Sequence, residues 1–252
     1  MIRRLVRAAW MRIAGRRHGS IVGVRTHQRF VALTFDDGPE PRTTLRVLDV
    51  LERHGAKATF FLIGSAAESH PGMVACLVAG GHCVGHHTYG HVSLPGLGRE
   101  EARDQVERGA AAAAPYAGPW FRPPYGHLDP LSWRVARDAG HEVVAWSQHV
   151  EDWLPHSATV LKERLRAALR PGAILLLHDG PQPADDPENP RAALLEALDS
   201  FLAQATRDGW RFVTLPELLA CGRVTRRERW RSAASPTDQS APPEPFQIRH
   251  GA

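Results

Sequence analysis

Short apolar runs alternate with amphipathic stretches along the chain from Phe30 onward. The apolar runs are rich in β-branched and aromatic residues, which is typical of buried strands. The predicted strands are Phe30–Phe35, Ala58–Ile63, His82–Gly85, Trp120–Arg122, His141–Trp146, Ala173–Leu177 and Arg211–Leu215. Between them, helical spacing of apolar residues predicts helices over Thr43–His54, Pro71–Ala79, Arg99–Ala114, Pro130–Ala139, Thr159–Leu169 and Arg191–Asp208. This alternation, without a hairpin signal, predicts a parallel sheet.

Two architectures are compatible with this alternation, an open doubly wound sheet and a closed β/α barrel. The first strand leads into Asp36-Asp37-Gly38-Pro39 and not into a glycine-rich phosphate loop, which counts against a dinucleotide site. Polar residues suited to chemistry follow the ends of at least four strands. A barrel brings such ends to one face, whereas an open sheet spreads them along a line. We therefore predict a single-domain α/β fold, a distorted (β/α)7–8 barrel.

Charge divides the chain into three parts. Residues 1–29 hold eight arginines and no acid, and residues 223–252 hold six arginines and three acids. Because the whole chain carries +4, the segment 30–222 carries −7. An acidic body without a basic stripe predicts no nucleic-acid partner. We predict a basic arm over 1–28, one domain over 29–222 and a disordered Pro-rich tail over 223–252.

The first residues, MIRRLVRAAWMRIAGRR, begin like a signal peptide. Arg7 and Arg12 interrupt the apolar stretch that export would need, and no apolar run reaches the roughly 18 residues of a membrane span. The expectation is a cytoplasmic protein whose arm is either frayed or rests on the anionic inner face of the membrane. The three scattered cysteines predict neither a disulfide framework nor a CxxC metal site.

Two of the polar segments offer metal ligands. In an extended chain, the neighbouring carboxylates of Asp36 and Asp37 point in different directions, so one could reach a metal while the other takes a proton. A simple Asp-Gly turn explains the same residues. His87 and His91 have a spacing that often binds Zn²⁺, although fourteen histidines make chance pairs common and spacing alone does not exclude His86.

Three further segments follow later strands. They are Arg122-Pro123-Pro124-Tyr125, His149-Val150-Glu151-Asp152-Trp153 and Leu176-Leu177-His178-Asp179. Taken singly, each also has a structural explanation: a rigid proline turn, a polar patch, and a histidine that ends a buried strand.

In this order, the five segments resemble the NodB-homology polysaccharide deacetylases, carbohydrate esterase family 4, whose motifs are TFDDG, H[ST]xxH, RxPY, DxxDW and LxH. Four motifs are intact, at Thr34–Gly38, His87–His91, Arg122–Tyr125 and Leu176–His178. The resemblance covers about residues 29–215. It implies a metal-dependent hydrolase, monomeric, that removes N-acetyl groups from N-acetylglucosamine-type residues of a poly- or oligosaccharide.

The resemblance also implies a role for each site residue. Asp37, His87 and His91 would hold a divalent ion, first of all Zn²⁺, with Co²⁺ or Ni²⁺ as alternatives. The implied catalytic groups are Asp36 as general base, Arg122 orienting it, the Tyr125 backbone N–H at the oxyanion, and His178 as general acid. Tyr125, Asp152 and Trp153 would contact the substrate.

One motif departs from the family pattern. DxxDW reads HVEDW here, so His149 stands at the first aspartate, which the resemblance makes the partner of His178. Glu151, Asp152 or Asp179 could supply the missing carboxylate, the enzyme could be slow, or the protein could bind sugar without cleaving it. A further alternative is a family member that hydrolyses a small non-sugar amide.

Overall fold

The structure, a computed structural model, describes residues 19–228. The strands are β1 Ser20–Arg25, β2 Phe30–Asp36, β3 Ala58–Leu62, β4 Cys83–His86, β5 Trp120–Phe121, β6 Glu142–Val143, β7 Gln148–His149, β8 Ile174–His178, β9 Arg211–Phe212 and β10 Arg223–Arg227. The helices are α1 Thr44–Arg53, α2 Gly64–Ser69, α3 Pro71–Ala79, α4 Arg99–Ala112, α5 Pro130–Asp138, α6 Ala158–Ala168, α7 Ala192–Arg207 and α8 Leu215–Ala220, and a 3₁₀ turn covers Pro124–Gly126. The predicted strand–helix alternation is confirmed.

Seven strands form one curled sheet in the order β6-β5-β4-β3-β2-β8-β7, and β9 pairs with the start of β2. All of these pairings are parallel. The edge strands β6 and β7 are consecutive in the chain but do not pair, so the barrel stays open between them. Strand β1 lies across this gap, with bridges from Ile21 to Val144 and from Gly23 to Ala173. The predicted distorted barrel is confirmed in this half-closed form.

Alternate residues of the sheet face two different apolar layers. In β2, Leu33 and Phe35 pack outward against the helices, whereas Ala32 packs inside the curl with Phe61 and Trp146. Side chains two apart share a face of a strand, so Thr34 and Asp36 also point inward. The hydroxyl and carboxylate at the end of β2 therefore enter the interior because of the strand period alone.

The predicted boundaries of arm and tail differ from the structure. Ser20–Arg25 and Arg223–Arg227, placed by sequence in the arm and in the tail, form the antiparallel pair β1 and β10. Their arginines led to the prediction of solvent-exposed ends, yet the first five residues of β1 are buried, and Ile21 is fully so. Residues 1–18 and 229–252, the remainder of both predicted segments, lie outside the described residues.

Several short elements also escaped the sequence prediction. The predicted strand His141–Trp146 is reduced to β6, and β7, α2 and α8 were not foreseen, because elements of two to six residues carry too few apolar positions to show a period. None of the helices within residues 19–228 is long and apolar enough to cross a membrane. The three cysteines are free thiols.

Gly109 allows α4 to touch the segment that carries His87 and His91. A Cβ at this glycine would lie 2.7 Å from the Thr88 carbonyl carbon, closer than any ordinary contact. At the start of the same helix, a Cβ at Gly98 would meet nothing within 4 Å.

We expect Gly109→Ala to lower the free energy of unfolding by about 1–3 kcal/mol, the usual cost of overpacking. The matched change Gly98→Ala should stay within about 0.5 kcal/mol of the parent protein. Urea unfolding of both variants checks the difference. Equal stabilities would show that the α4 contact does not constrain the histidine segment.

Candidate active site

Two adjacent aspartates at the end of β2 point in different directions. Asp36, the last residue of the strand, points into the barrel and is only 3% exposed. Asp37 has a φ of 76°, in the left-handed region, which turns the chain away from the strand. This backbone turn places both carboxylates on the wall of the same cavity.

Arg122 fixes the orientation of Asp36 from inside the barrel. Its guanidinium is fully buried and donates from Nη1 to Asp36 Oδ1 at 2.7 Å and to Thr34 Oγ1 at 2.9 Å. Its Nη2 donates to the Ala145 carbonyl at 3.1 Å, and the group lies 4.1 Å from the Phe61 ring centre. With one oxygen engaged by Arg122, Asp36 keeps Oδ2 toward His87, 3.8 Å from Nε2.

Asp37, His87 and His91 converge on one point. Their ligand atoms lie within 4.8 Å of one another. His91 Nε2 is 3.1 Å from Asp37 Oδ1, and His87 Nε2 is 3.7 Å from the same oxygen. Two imidazoles and one carboxylate are the donor set of catalytic zinc sites, which leave positions for water and substrate.

The protonation of these groups suits a cation. His87 Nδ1 donates to the Arg122 carbonyl at 2.7 Å, so Nε2 presents a lone pair toward Asp37. Burial lowers the pKa of His87 to about 4, which keeps the ring neutral. Burial would raise the pKa of Asp37, but the neighbouring histidines His91, His178 and His87 outweigh it and lower the pKa. Lone pairs and an anionic oxygen that face each other fit a divalent ion between them.

Like His87, His91 has a partner on Nδ1, the ring nitrogen that does not face Asp37. The Tyr125 hydroxyl lies 3.3 Å from His91 Nδ1, on the side of the ring away from Asp37. A partner on the far nitrogen fixes the orientation of a ligating imidazole. Sequence reasoning assigned Tyr125 a backbone role at the oxyanion and a contact to substrate, and this side-chain contact to His91 was missed.

His178, the register partner of Asp36 on the neighbouring strand β8, forms a buried pair with Asp152. His178 Nδ1 is 3.0 Å from Asp152 Oδ1, and the His178 backbone N–H donates to Asp152 Oδ2 at 2.9 Å. Burial opposes the charged ring, but the carboxylate of Asp152 outweighs it and raises the pKa of His178 to about 9. At neutral pH the ring therefore carries a proton that it can donate.

The geometry selects the partner of His178 from the carboxylates that the sequence left open. His149 lies on β7, paired with Leu176, and its ring is 5.6 Å from that of Trp153. The carboxylate comes from Asp152, one of three candidates that the sequence left open. Glu151 instead accepts from Arg164 at 2.5 Å.

The third candidate carboxylate, Asp179, is also engaged elsewhere. Thr44 Oγ1 donates to it at 2.5 Å, and burial raises the pKa of Asp179 to about 7. The expectation that Asp152 contacts substrate is wrong as well, because its side chain is fully buried against His178 and Arg191. Motif spacing alone did not show which acidic residue would face His178.

The catalytic candidates surround one cavity of about 700 Å³. Its polar wall contains Asp36, Asp37, His87, His91 and His178. Its apolar wall includes Tyr125, Trp146, Trp153 and Leu176. Arg122 and Asp152 lie behind this wall and hold the groups that line it.

Backbone strain is concentrated around the cavity. Within residues 19–228, six residues other than glycine have φ in the left-handed region: Asp37, Thr88, His91, Tyr125, Glu151 and Arg191. The first five belong to the motif segments. Each such conformation costs about 1–3 kcal/mol and persists where the surroundings impose it, as they do at functional sites.

Two residues near the site were not foreseen from the sequence. Gln182 lines the cavity and donates from Nε2 to Asp37 Oδ2 at 3.0 Å. Arg191, buried before α7, contacts Asp152. The Pro-rich stretch Gly180–Pro190, which immediately follows His178 in the chain, was the one signal that could have directed attention to them.

Known proteins are similar to this chain in sequence and in fold. The family described as polysaccharide deacetylase matches residues 23–144. A peptidoglycan-N-acetylglucosamine deacetylase from Bacillus cereus is 37% identical over 191 residues, 75% of this chain and 67% of the relative. A chitooligosaccharide deacetylase from Bradyrhizobium sp. is 36% identical over 211 residues, covering 81% and 94%. The solved Bc1960 peptidoglycan N-acetylglucosamine deacetylase superposes with a TM-score of 0.72 at 31% identity, covering 82% and 94%.

If the convergent histidines bind the ion, we expect His87→Ala and His91→Ala each to weaken Zn²⁺ binding by more than about 100-fold. Loss of an outer partner of a ligand costs about 10–100-fold, and loss of the ligand itself should cost more. Calorimetric titration of metal-free protein measures the affinity. The exposed His27, changed to alanine, is the matched control. Unchanged affinity in both ligand variants would contradict the assignment.

Proposed function

The chain belongs to the polysaccharide deacetylase family, and from this membership we propose that it is a metal-dependent hydrolase removing N-acetyl groups from N-acetylglucosamine-type residues of a poly- or oligosaccharide. The observation that carries the proposal is that two groups line one cavity from paired positions at the ends of the neighbouring strands β2 and β8. Asp36 is held with a free carboxylate oxygen, and His178 beside it is a proton donor. Amide hydrolysis needs both a base and an acid.

We assign the ion to Asp37, His87 and His91. Zn²⁺ is the first choice for two imidazoles and one carboxylate, with Co²⁺ or Ni²⁺ as alternatives that the same donors accept. When bound, such an ion acts as a Lewis acid that polarises the acetyl carbonyl and makes a water molecule more acidic. Gln182 holds the second oxygen of Asp37, and so restricts the rotation of that carboxylate.

Asp36 is the proposed general base. Arg122 engages Oδ1 and leaves Oδ2 directed at the place where His87 and Asp37 converge. From there the carboxylate takes the proton of the water that attacks the acetyl carbon. Arg122 keeps one rotamer of Asp36 and stabilises its charged form, so the base is in position before substrate binds.

His178 is the proposed general acid and Tyr125 the proposed oxyanion donor. As the C–N bond breaks, the imidazolium of His178 gives its proton to the departing amine, and Asp152 stabilises the ring before that transfer. The Tyr125 backbone N–H, in the strained turn after Pro124, donates to the oxygen that becomes negative. The products are acetate and the free amino sugar.

The apolar wall suits a carbohydrate. The indole of Trp153 lines the cavity and stands edge-on to His178, with ring centres 5.5 Å apart. An aromatic face beside the proton donor can support a sugar ring while its acetamido group reaches the polar wall. The pairing of Asp152 with His178 supplies the carboxylate that the departure at His149 had left open.

Location and assembly stay predictions. We propose that the part of the predicted basic arm that precedes β1, residues 1–18 with six arginines and no acid, touches an anionic membrane surface, since such a charge excess is attracted to anionic lipids. A cytoplasmic place and a monomeric state are the corresponding expectations. An oligosaccharide or a lipid-linked precursor would be the substrate at that surface.

We expect the protein loaded with Zn²⁺ to release acetate from N-acetylglucosamine oligomers, and Asp36→Asn to lower kcat by roughly 10² or more while metal content is retained. The asparagine keeps the shape but cannot take the proton. The exposed Asp49, changed to asparagine, is the control. Acetate assays and metal analysis of the same preparations give the answer. Release from small cyclic amides but not from glycans would contradict the sugar substrate.

The dependence of kcat on pH tests the assignment of His178 as general acid. The raised pKa of His178 means that its acid form is present below about 9 and is lost as the pH rises through that value. Asp152→Asn removes the group that raises the pKa and leaves burial, which lowers it, so the alkaline limb of kcat should move to lower pH. The control is His149→Asp, on the strand β7 that pairs with β8, and it should leave the alkaline limb of kcat in place. A limb that moves only in His149→Asp would contradict the pairing.

A further inference from the structure

Arg191 is a buried cation with no part in the reaction described so far. It is 2% exposed and lies between the loop Gly180–Pro190 and α7. Its φ is 60°, a left-handed conformation that a residue other than glycine rarely adopts. A long charged side chain is seldom fully buried unless its charge is paired, so the contacts of the guanidinium should explain its place.

The guanidinium holds Asp152 at two points. Nη2 forms an ion pair with Asp152 Oδ2, and Nη1 donates to the Asp152 backbone carbonyl at 2.9 Å. Contacts to the carboxylate and to the main chain of the same residue restrict rotation about the side-chain bonds of Asp152. The oxygen that remains, Oδ1, is the one that faces His178 Nδ1 at 3.0 Å.

The same guanidinium is connected to the wall of the cavity. Arg191 Nη1 is 3.4 Å from Asp185 Oδ1, and Asp185 Oδ2 accepts the Gln182 backbone N–H at 2.7 Å. The Gln182 side chain in turn donates to Asp37. The loop Gly180–Pro190 is thus attached at one end to the carboxylate expected to bind the ion and at the other to the pair that holds the acid.

Stability alone is a weak reason for this arrangement. A buried ion pair gains little over well-packed apolar side chains, because removing both charges from water costs about as much as their attraction returns. The strained backbone of Arg191 adds a further cost. The cost of burying the ion pair and the cost of the strained backbone both arise at Arg191, the residue that orients Asp152.

We propose that Arg191 is a positioning residue that fixes Asp152 against His178 and thereby couples the loop Gly180–Pro190 to the general acid. The inference rests on the proposed function, in which His178 protonates the departing amine. Arg191 itself does not line the cavity, and so it acts through Asp152 and not on the substrate.

A double-mutant cycle on acetate release tests the coupling. We expect Arg191→Gln to lower kcat about 10- to 100-fold, the scale for outer partners that orient an active group, with metal content unchanged. In an Asp152→Asn background the same change should cost less than about 3-fold, because its target is already disabled. Fold losses that multiply would overturn the proposal.

The control is Arg46→Gln. Arg46 Nη1 donates to the Pro190 carbonyl at 3.2 Å, so it anchors the same loop without touching Asp152. We expect near-parental kcat for this variant. A loss equal to that of Arg191→Gln would show that loop attachment, and not the orientation of Asp152, is responsible.

Arg191→Lys carries the test if the glutamine variant does not fold. It keeps the buried charge, but a single ammonium cannot reproduce the fork of a guanidinium. We expect kcat between those of the parent and the Asp152→Asn enzyme, and parental kcat would overturn the proposal. Failure of the proposed function looks different: Asp152→Asn would then be as active as the parent, or the parent would release no acetate from N-acetylglucosamine oligomers.

Discussion

The buried ion pair between Arg122 and Asp36 determines the geometry of the rest of the site. The guanidinium enters the barrel after β5 and reaches Thr34 and Asp36 on β2, and the Ala145 carbonyl beside the gap closed by β1. The carbonyl of the same arginine accepts the Nδ1–H of His87. One residue therefore orients the proposed base and fixes the tautomer of a proposed metal ligand. Both effects follow from the position of Arg122, which is fully buried inside the curled sheet.

Two charged clusters with opposite tasks meet at the cavity. In the first, Arg122 stabilises an anion that must accept a proton. In the second, Asp152 stabilises a cation, His178, that must give one away. Pairs of titratable groups whose environments favour opposite protonation states are the usual basis of acid–base catalysis near neutral pH. Because Arg122 and Asp152 are buried behind the cavity wall, water has little access to either ion pair, and within these two pairs only Asp36 and His178 line the cavity.

The architecture could be predicted from the periodicity of apolar residues along the sequence. Runs of apolar residues located β2, β3, β4 and β8, and the parallel order follows from the helices between them. Local spacing also located the residues of the proposed metal site, since a strand end and a four-residue spacing are short-range features.

The features that the sequence did not predict depend on long-range contacts or on buried charges. The β1–β10 ribbon was missed because its arginines indicate exposure. The partner of His178 stayed undecided among Glu151, Asp152 and Asp179 because a motif does not state which carboxylate turns inward. Arg191 has the sequence context of an exposed residue at a helix start, and only the packed loop shows it buried.

The division of labour between the two adjacent aspartates is the central claim, and anomalous diffraction from crystals of the Zn²⁺-loaded protein tests it most directly. The account predicts one strong peak in contact with Asp37, His87 and His91, with Asp36 still bound to Arg122 and absent from the ligand set. A peak bound by Asp36, or one located away from the two histidines, would contradict it.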